Sequence, residues 1–301
     1  MHTKPKRLRQ PRMEISGSRV QSLAKQAQHS FTQGRYNDAE RLYKRALALA
    51  EKTFAPSALE LATLLNGLAV VYKYQARFAE ARRLYRRALA ILEKALGPDH
   101  PEVASLYHNL GGVEHARGRF ARGEPFARRS VAIREKALGP DHPDVATDVA
   151  ALAALLDGQG QYAEAEALYQ RALTVFERVF GPEHYEIAVN LNNLAAIYQA
   201  RGQTTDAEHL YRRSLAIKEK LLGPAHPDVA LTVNNLAVLC KSQQRYGEAE
   251  ILYQRSLALL EKALGPKHPN VAACRKNYAA LRRKLTSLRA REEKSSFDVL
   301  T

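Results

Sequence analysis

The amino-acid sequence predicts an all-α fold, a solenoid of stacked helical hairpins, on three observations. Gly-Pro recurs every 42 residues, at Gly97-Pro98, Gly139-Pro140, Gly181-Pro182, Gly223-Pro224 and Gly265-Pro266, with Ala55-Pro56 as a worn copy one period earlier. The text around four of these points is nearly identical, from Leu96 to Ala104, Leu138 to Ala146, Leu222 to Ala230 and Leu264 to Ala272. Between them apolar residues advance by threes and fours, as in Leu191, Leu194, Ala195 and Tyr198, then Ala207, Leu210, Tyr211 and Leu215, which places each set on one helical face.

Each period reads as two helices. Ala200-Arg201-Gly202-Gln203 is a polar turn between them, Gly223 ends the second helix, and Pro224 prevents its continuation. His226-Pro227-Asp228 starts the next, with Pro227 suited to the first helical position and Asp228 to the positive end of the helix dipole. Six hairpins are expected, over about 18–54, 57–96, 99–138, 141–180, 183–222 and 225–264, because one hairpin cannot bury its apolar face alone. A final helix over 269–291 keeps Tyr278, Leu281, Leu285 and Leu288 for packing and covers its outer side with Arg282, Arg283 and Lys284, as a solenoid cap requires. Residues 1–17 are expected to be a basic disordered tail and 292–301 a flexible C-terminus. Hairpin three carries Gly111-Gly112, Gly123, Pro125 and Ala127 where others have larger residues, which predicts weak packing and a hinge.

The pattern Leu68-Ala69-x-x-Tyr72, Phe78, Ala81, Tyr85, Ala88 resembles the tetratricopeptide repeat (TPR). The period of 42 with its Leu-Gly-Pro-Asp-His-Pro-x-Val-Ala linker is similar to the long-helix version of kinesin light chains and many bacterial proteins. The resemblance covers residues 18 to 290 and implies a right-handed superhelical solenoid. No long heptad coiled coil precedes the repeats, so a motor-subunit role is not expected.

The 301 residues carry 46 Lys+Arg against 31 Asp+Glu, a net charge of +15 that suggests an anionic partner. Of that excess, +5 lies in residues 1–20, +5 in 275–301 and +5 across the array. Within the array the charges repeat: Lys44-Arg45, Arg86-Arg87, Arg128-Arg129 and Arg212-Arg213 share one place, and Glu51, Glu93, Glu135, Glu219 and Glu261 another, so pairing between neighbouring hairpins is expected. The start, around Pro5-Lys6-Arg7-Leu8-Arg9, reads as a solvated tail, with a transit or nuclear signal as the alternative. No run is apolar enough for a membrane span or secretory signal. Two cysteines outside any CxxC fit a reducing compartment, and a cytoplasmic protein is expected.

Catalytic motifs are absent from the sequence: there is no Gly-rich phosphate loop, GxSxG or HExxH. No enzyme activity, cofactor, metal or small-molecule substrate is expected. His100, His142, His184, His226 and His268, one per linker, are read as helix starters rather than metal ligands, because equivalent positions in stacked helices lie about 10 Å apart. Cys240 stands where Tyr72 and Tyr198 stand and is read as a packing residue, and Glu164-x-Glu166 and Glu248-x-Glu250 face different ways on a helix. Tyr43, Tyr85, Tyr169, Tyr211 and Tyr253 form a core ladder.

Asparagine is the unusual ladder. Asn66, Asn109, Asn192, Asn193, Asn234, Asn235 and Asn277 stand in or near the first helices just before Leu-Ala or its equivalent, and Asn is intrinsically unfavourable in a helix interior. A carboxamide donates and accepts, which suits it to the backbone of an extended peptide; the alternative is that some asparagines bridge adjacent hairpins. The resemblance implies that this stretch faces a concave groove holding a peptide main chain. Lys73, His115, Gln199 and Lys241 lie one or two turns further on, with Tyr74 beside them, and the two lysines favour acidic ligand residues. Hairpin four, with Ala150, Ala151 and Asp157 at these places, interrupts the row. The expected function is a protein-interaction scaffold binding an acidic, extended peptide; electrostatic binding of nucleic acid or anionic membrane through the tail and cap is the second reading.

Overall fold

The computed structural model describes residues 10–55 and 58–298, with side chains described in 17–55 and 58–288. Every element is an α-helix, and no strand occurs among the described residues. The chain divides into two compact units, 1–161 and 162–301. The break falls at the turn of hairpin four.

The first unit holds α1 (Gln10–Thr32), α2 (Tyr36–Thr53), α3 (Leu59–Tyr74), α4 (Phe78–Leu96), α5 (Pro101–Ala116), α6 (Phe120–Leu138) and α7 (Pro143–Asp157). Here α1, α3, α5 and α7 pack side by side, and α2, α4 and α6 seat on the flanking first helices with their own backbones further apart. That spacing puts the first helices on the inner side of the stack. The second unit holds α8 (Tyr162–Phe180), α9 (Tyr185–Ala200), α10 (Thr204–Leu222), α11 (Pro227–Ser242), α12 (Tyr246–Leu264) and α13 (Pro269–Asp298), with α9, α11 and α13 as its inner layer. Helix α1 opens at Gln10, within the stretch assigned to a tail, and α13 runs on to Asp298. Residues 1–9 and 299–301, the rest of the expected tails, lie outside the described residues.

Helix ends follow from the linker chemistry. Gly97, Gly139, Gly223 and Gly265 cap their helices at φ of +79° to +89°. With ψ of 153° to 159° this conformation is essentially reserved for glycine and costs an L-residue about 1–3 kcal/mol, and each glycine N–H is donated to a glutamate carbonyl such as that of Glu93 (3.0 Å). Each linker histidine then starts the next helix as an N-cap. The Nδ1 atoms of His100, His142, His184, His226 and His268 accept the amide N–H two residues on, at 3.1–3.3 Å. Histidine here does the work usually left to Ser or Asp.

The tyrosine ladder is core, with Tyr85, Tyr169, Tyr211 and Tyr253 no more than 2% exposed. A second series of seams alternates in chemistry, joining position i of a second helix to i+14 of the next first helix. One seam has the apolar pair Leu92 and Leu106, whereas another has Arg134 and Asp148, and a third Lys218 and Thr232. Asp148 is fully buried and holds His108 Nδ1 at 2.7 Å and Arg134 at 3.4 Å from the same oxygen. Lys218, 5% exposed, donates to Thr232 Oγ1 at 2.9 Å, and burial pushes its amine down to about 8 against the opposing pull of Asp228.

Hairpin three is close-packed rather than loose. Helix α6 continues through Pro125, and Gly123 and Gly111 let α5 and α6 approach each other. A Cβ at Gly123 would lie 2.5 Å from Leu155 Cδ2 and 3.2 Å from the Gly111 carbonyl. The small residues read as a hinge are contact points, and a bulkier tyrosine at Ala127 is unnecessary where the backbones themselves close the gap.

Candidate functional site

The candidate residues lie on the inner layers of the two units. In the first unit, Asn66, Lys73 and Tyr74 belong to α3 and Asn109 and His115 to α5; in the second, Asn192, Asn193 and Gln199 belong to α9, Asn234, Asn235 and Lys241 to α11, and Asn277 to α13. Each unit therefore presents its own carboxamide row, built by the 42-residue register.

The asparagines bond first to one another. Asn109 Nδ2 donates to Asn66 Oδ1 at 3.0 Å in the first unit. In the second, Asn277 donates to Asn234 (3.4 Å), Asn234 to Asn235 (3.5 Å), Asn235 to Asn192 (3.2 Å) and Asn192 to Asn193 (3.4 Å). The inter-hairpin bonds all span 43 residues, so the second amide of one hairpin donates to the first amide of the hairpin before. These side chains stitch neighbouring first helices, the alternative that the sequence left open, while each carboxamide keeps unused donor or acceptor capacity. Gly67 occupies the row in hairpin two because the Tyr43 ring fills the place of a side chain: a Cβ there would meet it at 2.6 Å.

One register step further along, Lys73, His115 and Asp157 form a column, with Lys73 and Asp157 partly buried and His115 exposed at its surface. Burial pushes the Lys73 amine down, burial and the Lys73 charge push the His115 ring down, and burial pushes the Asp157 carboxyl up. Lys73 has no ion-pair partner among the described residues and lies over Gly112, whose absent Cβ would stand 3.0 Å from its Nζ. His115 meets Phe120 edge-on at 5.4 Å, and Tyr74, half exposed, meets Phe31 edge-on at 5.0 Å. In the second unit Gln199 accepts from Tyr211 Oη at 3.3 Å, and Lys241 has no hydrogen-bond or ion-pair partner among the described residues.

The other chemistry-bearing groups are tied into the scaffold. Cys240 is fully buried, and burial raises its thiol to about 11, so it packs as a small apolar group. Glu166 pairs with Arg201, and Glu248 with Arg245 and Arg212. No group of three metal-ligating side chains occurs among the described residues, and no helix among them is long and apolar enough to cross a membrane.

Arginine clamps are the feature that residue spacing did not single out. In hairpin two Arg77 donates to Glu40 (2.8 Å) and Gln75 (3.2 Å) through Nη1 and to Glu80 (2.7 Å) through Nε, its guanidinium lying 4.0 Å over the Tyr72 ring. In hairpin six Arg245 repeats this with Glu208 (2.6 Å), Gln243 (2.9 Å) and Glu248 (3.0 Å). Further rungs join Arg87 to Glu51, Arg213 to Glu177 and Arg255 to Glu219, each 36 residues back, confirming the expected pairing between hairpins.

The tetratricopeptide repeat profile matches residues 19–94, 60–122, 102–177, 147–220, 186–262 and 228–289, and the chain belongs to the tetratricopeptide repeat family. Among solved structures it is similar to BtubC (BKLC) from P. vanneervenii, at 22% identity and TM-score 0.55 over 85% of this chain and 92% of that one. A Podosopora anserina protein described as a kinesin light chain with nearly identical TPR-like repeats is 27% identical, at TM-score 0.52 over 70% of this chain and 98% of that one. NprR in complex with its cognate peptide NprX shares the fold at 14% identity and TM-score 0.67, over 89% of this chain and 71% of that one. No curated protein matches the chain by sequence.

Proposed function

We propose that this chain is a non-catalytic scaffold whose first-helix faces bind an extended, acidic peptide segment of a protein partner. The observation carrying this reading is the pair of ammonium groups, Lys73 and Lys241, that have no partner among the described residues, each beside a carboxamide row with spare hydrogen-bonding capacity. A partly desolvated ammonium without a carboxylate is costly alone and favourable once an acidic side chain arrives. NprR, of the same fold, is solved with its cognate peptide, which supports a peptide as the ligand class. The two buried, free cysteines support a cytoplasmic location.

Fluorescence anisotropy with a library of labelled acidic and neutral extended peptides tests the reading. Acidic peptides should bind, with affinity falling on added salt, and Lys73→Glu or Lys241→Glu should weaken the selected peptide about tenfold, near 1.4 kcal/mol. Equal binding by both variants, or no preference for acidic sequences, refutes it. Asn192→Ala with Asn234→Ala should weaken capture too, and because these side chains also stitch helices, its thermal stability must be measured alongside. Liposome and RNA binding in the same assay would instead favour the tail and cap, where Arg282, Arg283 and Lys284 are exposed.

A further inference from the structure

The clamp built by Arg77 and Arg245 has a third copy in which all three acceptors have become arginines. Arg119 stands in the register position of Arg77 and Arg245. Counted at the same offsets, Glu40 becomes Arg82, Gln75 becomes Arg117 and Glu80 becomes Arg122. The backbone of the turn is unchanged. Arg119 N–H donates to the Glu114 carbonyl at 2.8 Å, as Arg77 does to Tyr72 (2.8 Å) and Arg245 to Cys240 (2.9 Å), and the residue before it has φ of +65°, against +58° and +62° in the other two. The backbone of the turn is therefore the same, with arginine at all three acceptor positions.

Of the four arginines, Arg82 turns inward, its Nε 3.1 Å from an oxygen of Glu114, which is 1% exposed. No side-chain hydrogen bond or ion pair among the described residues holds Arg117, Arg119 or Arg122. Arg119 and Arg122 are exposed and three apart at the head of α6, a spacing at which like charges repel. Helix α6 has no acidic residue in its first turn and no side-chain cap, so its positive end adds to the field. In hairpins two and six two carboxylates answer the central arginine; in hairpin three both of those positions are arginines, and the one carboxylate at the turn, Glu114, is buried against Arg82, so a net positive charge is left.

We propose that the turn of hairpin three, formed by Arg117, Arg119 and Arg122 at the head of α6, is a binding site for a phosphate dianion. A tetrahedral dianion replaces both missing carboxylate charges at once. Its several oxygens match guanidinium forks, which bind phosphate in paired hydrogen bonds where one carboxylate leaves donors over. The source is a free phosphate or a phosphorylated side chain, and the chemistry recognised is common to both.

The test uses the full chain, with inorganic phosphate, a phosphoserine tripeptide and the matching aspartate tripeptide as probes, at constant ionic strength. Wild type should broaden the 31P signals, and phosphate should raise its melting temperature by roughly 2 °C relative to chloride. Arg117→Gln with Arg122→Glu, which restores two of the three acceptors of hairpins two and six, should abolish both responses while keeping helicity. Arg282→Gln with Arg283→Glu, which removes the same charge from the cap, should leave them intact. Response to phosphoserine alone assigns a modified side chain; response to both probes assigns the phosphate group itself. No response in wild type, equal response in the rebuilt variant, or an equal effect of the aspartate tripeptide overturns the proposal. The rebuilt variant leaves Lys73 and Lys241 in place, so failure here is separable from failure of acidic-peptide capture.

Discussion

At the residue scale, the strongest consequences come from positions where one repeat departs from its neighbours. Ala76 and Gln244 adopt φ of +58° and +62° at turns where Gly34, Gly118, Gly160 and Gly202 stand in other hairpins. Ala76→Gly should therefore stabilise the first unit by about 0.5–1 kcal/mol in urea unfolding, relief of left-handed strain outweighing the added freedom of glycine in the unfolded chain. Lys218 sits in a seam where other hairpins have Leu92 or Leu260. Its amine is depressed in the folded state, so the unfolded chain binds the proton more tightly, and stability should rise as pH climbs from about 8 towards the ordinary lysine value. Lys218→Met should remove that slope and raise stability by up to about 3 kcal/mol at neutral pH, as read by denaturant midpoints at pH 7 and pH 10. An unchanged slope would mean that this amine is solvated.

At the element scale, the linkers were legible and the contacts between helices less so. Gly-Pro and His-Pro name both ends of a helix because capping is local chemistry, and the structure adds only that the imidazole is the cap acceptor. His142→Ala should cost about 1 kcal/mol, and His142→Asp should restore most of it, in thermal melts of the full chain. The weak packing expected of hairpin three is corrected by the close contacts at Gly123, for a physical reason: Gly lowers helix propensity and also permits close backbone approach, and propensity alone cannot tell the two apart. Gly123→Ala should destabilise the first unit by about 1–3 kcal/mol, since the Gly111 carbonyl is backbone and cannot swing aside. The arginine clamps were hidden because their partners lie 37 residues back and three ahead, and only the fold brings both to one guanidinium.

At the scale of the whole molecule, acidification should act on every clamp together. Although burial alone would raise it, hydrogen bonds from Lys44 and Arg77 hold the Glu40 carboxyl down at about 2, and bonds from Arg245 and Arg212 hold Glu208 low. A depressed carboxyl contributes stability above its unfolded value, and that contribution fades as pH falls from about 4.5 towards 2. Melting temperature should therefore drop steeply below pH 4, and Arg77→Met should flatten the drop; circular dichroism melts between pH 2.5 and 6 check this. The number of hairpins and the core ladder were readable from the period of 42, since repetition reports packing. The asparagine rows were readable as a feature but not in their bonding, because a carboxamide serves a neighbouring helix and a ligand equally well.

The rungs also bear on how such an array changes length. Arg255 finds Glu219 and Arg213 finds Glu177 at one fixed offset, and Asn277 meets Asn234 as Asn235 meets Asn192. Excising a single whole period from hairpins five and six would bring Arg255 to Glu177 and Asn277 to Asn192, leaving no orphan charge or amide. Recombination between those copies is thus chemically silent, whereas hairpin three, with arginines in its slot, is the copy that cannot be exchanged for another.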